Sequence, residues 1–562
     1  MEKKKIYIKK KNKKYRIQRK IFFSITILML FIACLFQVIG NFTFFEFPNP
    51  QTTLTENMVS ERLTVLTENM KDVNRYETVQ NPEYLVISEN FLSSNMEVSS
   101  VLETLEGMKL WHQSVSYKDA ELMNFQDMSE SVETVIVCGD ESGTALTRKQ
   151  LDYLIEKGIH IIYTQMPAAE AIRKNDLGEI FGIYKMNGVL DQKGMRFVDD
   201  VFWGGNLELE DIEYALEDVE LHSTCKIYAY GLKVVDKEIV ERNEQLPPLM
   251  WRNTIGESKI FVVNGKFFEE NKGYGLLTAI LTNIYDDYLY PIVNASVMIY
   301  DSIPYDGVAN EEMMMEIYSR DSLQFQTDIL VPSIVSICKR LDIIPTFYTS
   351  ADRTLSQMDY IQRAVLELGG EVMYQEDAQV KAIDISNPEG RIWDEYPDLP
   401  VIVTGFEKND EDMTKLYSIG STFGIVVHRV DISKIINADS KEMDWVNVSK
   451  DYSNYIAYYQ EDFGYLKRMT AKDASIRYME YMLMDPVITY KDDRIDVHIE
   501  NMPSEASFIL RTEKQIDEVK NGTFEEIGDQ IYLIETKQAE CSILLKKNKN
   551  DVYQGTFFKN ID

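Results

Sequence analysis

The residues best placed to do chemistry gather in the second half of this sequence, at the ends of apolar runs. Asp301 closes the run in ASVMIYDSIP (295–304), where a strand would hand a carboxylate to the turn YDSIPYDG. Such a group can take a proton from a nucleophile, or it can cap the turn. His428 and Asp431 end a second run, FGIVVHRVD, with the carboxylate near enough in sequence to orient the ring. A histidine there is a candidate proton carrier, or a residue satisfied by local hydrogen bonds. Downstream, Trp445, Tyr452, Tyr455, Tyr458, Tyr459 and Tyr465 form an aromatic stretch that also holds Asp462. Aromatic faces stack on sugar rings, which makes Trp445, Tyr455 and Tyr459, with Asp431, candidate substrate contacts; helical spacing also fits a core-facing stripe. The segment QEDAQ sets Gln375 and Gln379 four residues apart around Glu376 and Asp377, an acidic pair that suits either a hard cation or a solvated loop.

Cysteine chemistry is poorly supported. Cys138 in Val-Cys-Gly-Asp is the thiol nearest a strand end, but it lacks the Gly-x-Cys-x-Gly elbow that exposes a nucleophile, and His112, His160 and His222 show no matching spacing. Cys225, Cys338 and Cys541 are scattered with no close metal pair, and Cys338 sits in an apolar helix pattern that predicts burial.

Alternating strands and helices must position these groups. Over roughly 290–485 the pattern predicts strands at 296–300, 344–348, 400–404 and 423–428, with helices at 325–341 and 356–368. That order implies a distorted (β/α) barrel. Residues 83–288 open with the same alternation, in strands Tyr84–Ser88, Thr134–Cys138 and His160–Tyr163 and a Thr-capped helix over Thr147–Lys157, so a Rossmann-like parallel sheet is expected. Residues 487–562 carry short alternating runs such as VITYKDDRIDVHIENM and CSILLKK, which predict a small C-terminal β-domain. The fold class expected is therefore α/β with a β-rich tail.

The 562 residues carry a formal charge of −32, unevenly spread. Residues 1–20 form a basic head with eleven Lys or Arg and one Glu, contributing +10, so the rest carries −42. A body that acidic repels nucleic acid and suits neutral or cationic partners. Ile21–Gly40 is a run of twenty uncharged, mostly apolar residues, about 30 Å as a helix, and it is expected to be an uncleaved transmembrane anchor. The positive-inside bias then puts the N-terminus in the cytoplasm and the body outside the cell membrane, with 41–82 as a stalk.

Three segments together resemble the polysaccharide deacetylases of carbohydrate esterase family four: ASVMIYDSIP (295–304), TDILVPSIVSICKRLDIIPTFYTS (327–350) and LGGEVMYQEDAQ (368–379). The resemblance sharpens the barrel to a NodB-like one. It puts Asp301 at the catalytic-base position and gives His428 the place of a general acid. It also puts Ser302 where the family has a metal-binding Asp, and Gln375 and Gln379 where it has a His-x-x-x-His pair. Carboxamides and a hydroxyl are weak zinc donors, so no family metal and no other cofactor is expected. LTRKQLDYLIEKGIHIIYTQ (146–165) and PLMWRNTIGESKIFVVNGKFFEE (248–270) resemble glutamine-amidotransferase-type accessory domains. The whole arrangement resembles the domain of unknown function 2194 family, similar to the deacetylase component of Pel-type exopolysaccharide loci of Gram-positive bacteria. That implies a biofilm-polysaccharide protein that has kept its barrel and lost its metal, with extracellular polysaccharide and exopolysaccharide synthase subunits as partners. A working deacetylase or glycan hydrolase using Asp301 and His428, and a structural scaffold of a synthase complex, are the alternatives.

Overall fold

The computed structural model describes residues 82–546, apart from 93–94, 140, 199–200, 203–206, 233, 236–237, 240–241, 269–271, 350–357, 375–401 and 439–442. The expected anchor at 21–40, the basic head, nearly all of the stalk, and Gln375 to Gln379 lie outside these residues. No helix among the described residues is long and apolar enough to cross a membrane.

Strands β1 (Tyr84–Ser88), β2 (His112–Ser116), β3 (Thr134–Val137) and β4 (His160–Tyr163) are parallel, in the order β2-β1-β3-β4. Between β3 and β4, the helix Arg148–Glu156 starts at a Thr147–Gln150 capping box, where each side chain answers an orphan N–H of the other's backbone. The sheet then departs from a simple Rossmann pattern. Long strands β5 (Ile183–Phe197) and β6 (Glu208–Leu221) form an antiparallel hairpin at its edge, joined through β7 (Lys226–Gly231). A two-strand ladder of β8 (Val234–Val235) and β9 (Glu238–Ile239) stands apart. β10 (Pro248–Ile255) and β11 (Ser258–Val263) then close the nine-stranded order β2-β1-β3-β4-β11-β10-β7-β5-β6, with β11 parallel to β4.

The next strand, β12 (Asp287–Ile292), lies at the junction between the two expected α/β units, yet it pairs forward with β20 (Ala506–Thr512). β13 (Ala295–Asp301), β14 (Pro345–Thr349), β15 (Glu371–Tyr374), β16 (Val403–Thr404) and β17 (Ile425–Asp431) form a wholly parallel sheet in the order β15-β14-β13-β17-β16. The five described strands make an open sheet and do not close into the expected barrel. The tail holds β18 (Asp485–Lys491), β19 (Arg494–Glu500), β21 (Gln515–Lys520), β22 (Gly522–Gly528), β23 (Ile531–Thr536) and β24 (Glu540–Lys546). With β12 and β20 these build two antiparallel four-stranded sheets, as the alternating runs predict.

The start of the parallel sheet is fixed by a polar knot. The helix Asp410–Phe423 ends at Gly424, whose φ of +60° suits glycine, and a Cβ there would come within 2.6 Å of Ile292. Gly424 O accepts from Ala295 N at 3.0 Å, setting β17 beside β13. Arg477, on the helix Ala471–Leu483, donates to Val293 O at 2.6 Å and Ser507 Oγ at 2.9 Å, and pairs with Glu505 at 3.4 Å. Lys467 bridges Glu505 and Glu535, both at 2.7 Å. Burial works against Glu505, but Lys467 and Arg477 hold its carboxyl below its ordinary value. Arg477→Ala should therefore leave Val293 O and Glu505 short of donors and lower stability by roughly 2–3 kcal/mol. Urea unfolding should show this, with faster proteolysis of the tail sheets.

Candidate functional site

Successive side chains of a strand point to opposite faces, so the register of the parallel sheet decides which groups meet. Asp301 lies opposite Asp431 on β17 and opposite Tyr348 on β14; Ile299 lies opposite Arg429, and Arg429 opposite Thr404. These residues share one face. Met298, Tyr300, Phe347, Val403, His428 and Val430 occupy the other and are buried. That second face is covered by the helix Trp445–Phe463, whose Tyr452, Tyr455 and Tyr459 rings surround His428 at centroid distances of 5.4–5.8 Å. The first face is less covered: Ile299, Tyr348, Met373, Arg429 and Asp431 are half-buried and Thr404 is exposed.

On the open face, Arg429 forms a two-pronged ion pair with Asp301. Nε donates to Oδ2, and Nη2 donates to Oδ1 at 3.1 Å. The guanidinium also lies 5.9 Å from the Tyr348 ring centre. Burial lifts the Asp301 carboxyl above its ordinary value, Arg429 pulls it back, and Asp431 opposite adds to the lift. Asp431 Oδ1 accepts at 3.0 Å from the N–H of Ser433, the first residue of the short helix Ser433–Ile436. The loop after Asp301 is held rigidly. Ser302 is left-handed with φ 62°, and the fully buried Gln326 clamps the Tyr305 backbone, accepting from its N at 2.6 Å and donating to its O at 3.0 Å. Gln326 begins a π-helical turn, Gln326–Leu330, at the head of the expected helix.

His428 is not the proton carrier its sequence position suggests. It sits within β17 on the covered face, with no exposed surface. Nε2 donates to Gly405 O at 2.9 Å, and Nδ1 accepts from Tyr459 OH at 3.1 Å. Burial pushes its pKa down to about 4, so the ring is neutral. Asp431 does not orient it, because the pleat turns the two side chains to opposite faces. Trp445, Tyr455 and Tyr459 are likewise buried against that face and offer no ring to a sugar. Cys138 and Cys338 are buried packing residues, as expected. The structure brings together Asp301 and Asp431, keeps Ser302 beside them, and adds Arg429, Tyr348 and Thr404. Sequence reading passed over Arg429 because it stands next to the more conspicuous His428. The alternation of FGIVVHRVD was the available signal, since it puts 429 and 431 on one side and 428 on the other. Among the described residues no group of three His, Cys, Asp or Glu is placed to hold a metal ion.

A family model described as an uncharacterised protein conserved in bacteria (DUF2194) matches residues 392–533. Comparison with curated proteins gives no match. Solved structures that resemble the chain include Agd3, described as a novel carbohydrate deacetylase, at 10% identity, covering 83% of this chain and 99% of that one with a TM-score of 0.49. Two others are an exo-β-1,4-mannosidase, Op5Man5, from Opitutaceae bacterium strain TAV5 and a cytoplasmic protein, STM1381, from Salmonella typhimurium LT2. The mannosidase is 12% identical, covers 36% of each chain and has a TM-score of 0.25. The Salmonella protein is 11% identical, covers 36% of this chain and 98% of its own, and has a TM-score of 0.26.

A depressed histidine pKa makes the unfolded chain bind a proton that the folded chain refuses. Stability from His428 is present above the unfolded value near 6.5 and falls with pH down to about 4. Urea unfolding from pH 7 to 4 should show wild type losing about 1.4 kcal/mol per pH unit more than His428→Gln across that window. His160, also held down to about 4 by burial and Lys259, is present in both proteins and cancels in the difference. Tyr455 provides an independent check of the packing role. Its buried hydroxyl has no hydrogen-bond partner among the described residues, so Tyr455→Phe should leave stability unchanged or raise it by about 1 kcal/mol, read as a thermal shift.

Proposed function

We propose that this chain is a membrane-anchored, extracytoplasmic, polysaccharide-deacetylase-like protein of Pel-like exopolysaccharide synthesis or export, and that it binds glycan without deacetylating it. The observation that carries this reading is the Asp301–Arg429 fork. A catalytic carboxylate needs a free oxygen to take a proton from water, and a metal-binding one needs an oxygen about 2 Å from the ion. Both Asp301 oxygens are engaged by a guanidinium, whose charge also opposes a metal cation beside it. The same set of groups suits a neutral or amino sugar. Arg429 and Asp431 offer a donor plane and a carboxylate to hydroxyls, and Tyr348 offers a ring at the carboxyl ends of parallel strands, where loops build sites. The basic head and the apolar run 21–40 support anchoring with the acidic body outside, and synthase subunits are the partners this location favours.

Full-length protein in detergent micelles should retard partly deacetylated poly-N-acetylhexosamine in affinity electrophoresis, and Arg429→Ala should weaken retention at least tenfold. The same protein should release no acetate from N-acetylated oligosaccharides, with or without added zinc. Acetate release that disappears in Asp301→Asn would sink the non-catalytic reading in favour of an active deacetylase. Absence of retention, together with recovery of membrane partners from cells, would favour a scaffold.

A further inference from the structure

The nine-stranded sheet has a crevice of its own. After β1 the chain enters the helix Met96–Gly107, which packs with Tyr84, Val86 and Ile136 on one face; after β3 it enters the helix Arg148–Glu156, which packs with Leu85, Val135 and Val137 on the other. The loops leaving these adjacent strands therefore diverge. In open parallel sheets a cleft forms at the carboxyl ends where this reversal occurs. Here it holds a cavity of about 520 Å³, within the usual range for a small-molecule site.

Its chemistry excludes the ligand such clefts usually take. The helix N-terminus that could bind a phosphate is already answered from within. Asn95 Oδ1 caps it by accepting from Val98 N, and Glu97, in the first turn, accepts from Gly139 N at 2.9 Å and from Thr164 Oγ1, which sets a carboxylate beside that end. Glu89 and Glu141 add two exposed carboxylates, and no Lys or Arg is among the described lining residues. Burial raises the Tyr117 phenol, and the nearby carboxylates of Glu97 and Glu89 raise it further, so it stands as a neutral hydroxyl beside them. At the mouth, Leu92 and Met96 are 65% and 50% exposed, and Phe91 beside them is 37% exposed. A patch of large apolar side chains so open to water is unusual next to so many carboxylates and suits the C–H face of a sugar ring.

We infer that this crevice binds a hexosamine unit bearing a free ammonium, with the carboxylates of Glu97 and Glu141 on the charge, the amides of Asn90 and Asn95 near the hydroxyls, and Leu92 and Met96 under the ring. The choice of a sugar over another polyhydroxylated amine rests on the glycan reading above, but the site is separate from the Asp301–Arg429 face. Titration calorimetry on the full-length protein in micelles, with glucosamine as ligand, should show binding that N-acetylglucosamine matches at least tenfold more weakly and inorganic phosphate not at all. Glu141→Gln, at an exposed position, should weaken glucosamine at least fivefold, and Glu97→Gln should do the same provided its circular dichroism is unchanged. Arg429→Ala should leave glucosamine binding intact while losing polymer retention. Equal affinity for the acetylated sugar, no effect of Glu141→Gln, or no glucosamine binding at tens of millimolar would overturn the inference. Each of those results leaves the reading of the Asp301–Arg429 face standing, because that reading is tested by the loss of polymer retention in Arg429→Ala and by acetate release.

Discussion

The parallel pairing of β13 with β17, with Asp301 opposite Asp431, is the constraint on which the second half of the molecule depends. A pleated strand has a period of two, so a slip of one residue would exchange every side chain between faces. In the observed register Arg429 faces Asp301 and His428 turns into the packing of the helix Trp445–Phe463. A one-residue slip of β17 would bury the Arg429 guanidinium among tyrosines and turn His428 and Val430 out to the open face. Burying an unpaired charge is costly enough to forbid that alternative. The register is pinned from its amino-terminal end by Gly424, which packs on Ile292, by Asn294, whose Nδ2 donates to Ser507 Oγ at 3.1 Å and Glu535 Oε1 at 2.9 Å, and by Arg477, so each of these also touches the tail sheets. Tyr490 on β18 adds a further tie, since its hydroxyl accepts from Leu289 N at 3.0 Å. The tail is therefore part of what aligns the sheet.

The two sheets share one design. In both, parallel strands end together, and the loops that leave them gather polar groups at one edge. What differs is the cation content. At the β13–β17 edge a guanidinium neutralises a carboxylate, whereas the described lining of the β1–β3 crevice holds carboxylates and no Lys or Arg. An acidic body can keep such a crevice because its counter-charge comes from the ligand or from solvent ions. The same acidity that keeps nucleic acid away makes a cationic sugar a natural occupant.

Much of the secondary structure was legible. The capped helix at Arg148–Glu156, strands β1, β3, β4, β13, β14 and β17, and the alternating tail all follow from hydrophobic period and turn residues, because those signals are local. The β5–β6 hairpin was not legible, since ELEDIEYALEDVEL is rich in acidic residues that a period count reads as solvated. The pairing of β12 with β20 joins residues more than two hundred positions apart, and no local pattern encodes it. The π-helical turn at Gln326 hides within an ordinary helical stretch. Its polar side chain at a buried position serves to clamp the Tyr305 backbone.

By itself the sequence determined the alternation of strands and helices, the acidic body behind a basic head, the burial of Cys138 and Cys338, and the placing of Asp301 at a strand end. These rest on composition and on periodicities that act within a few residues. Only the tertiary structure decided which neighbours share a face. His428 and Arg429 are adjacent in the chain and equally plausible as functional groups, yet the register opens one to the Asp301 edge and seals the other under three tyrosines. The physical reason is that a strand's facing is set by pairing partners far away in sequence, and the cost of burying charge selects among the registers they allow.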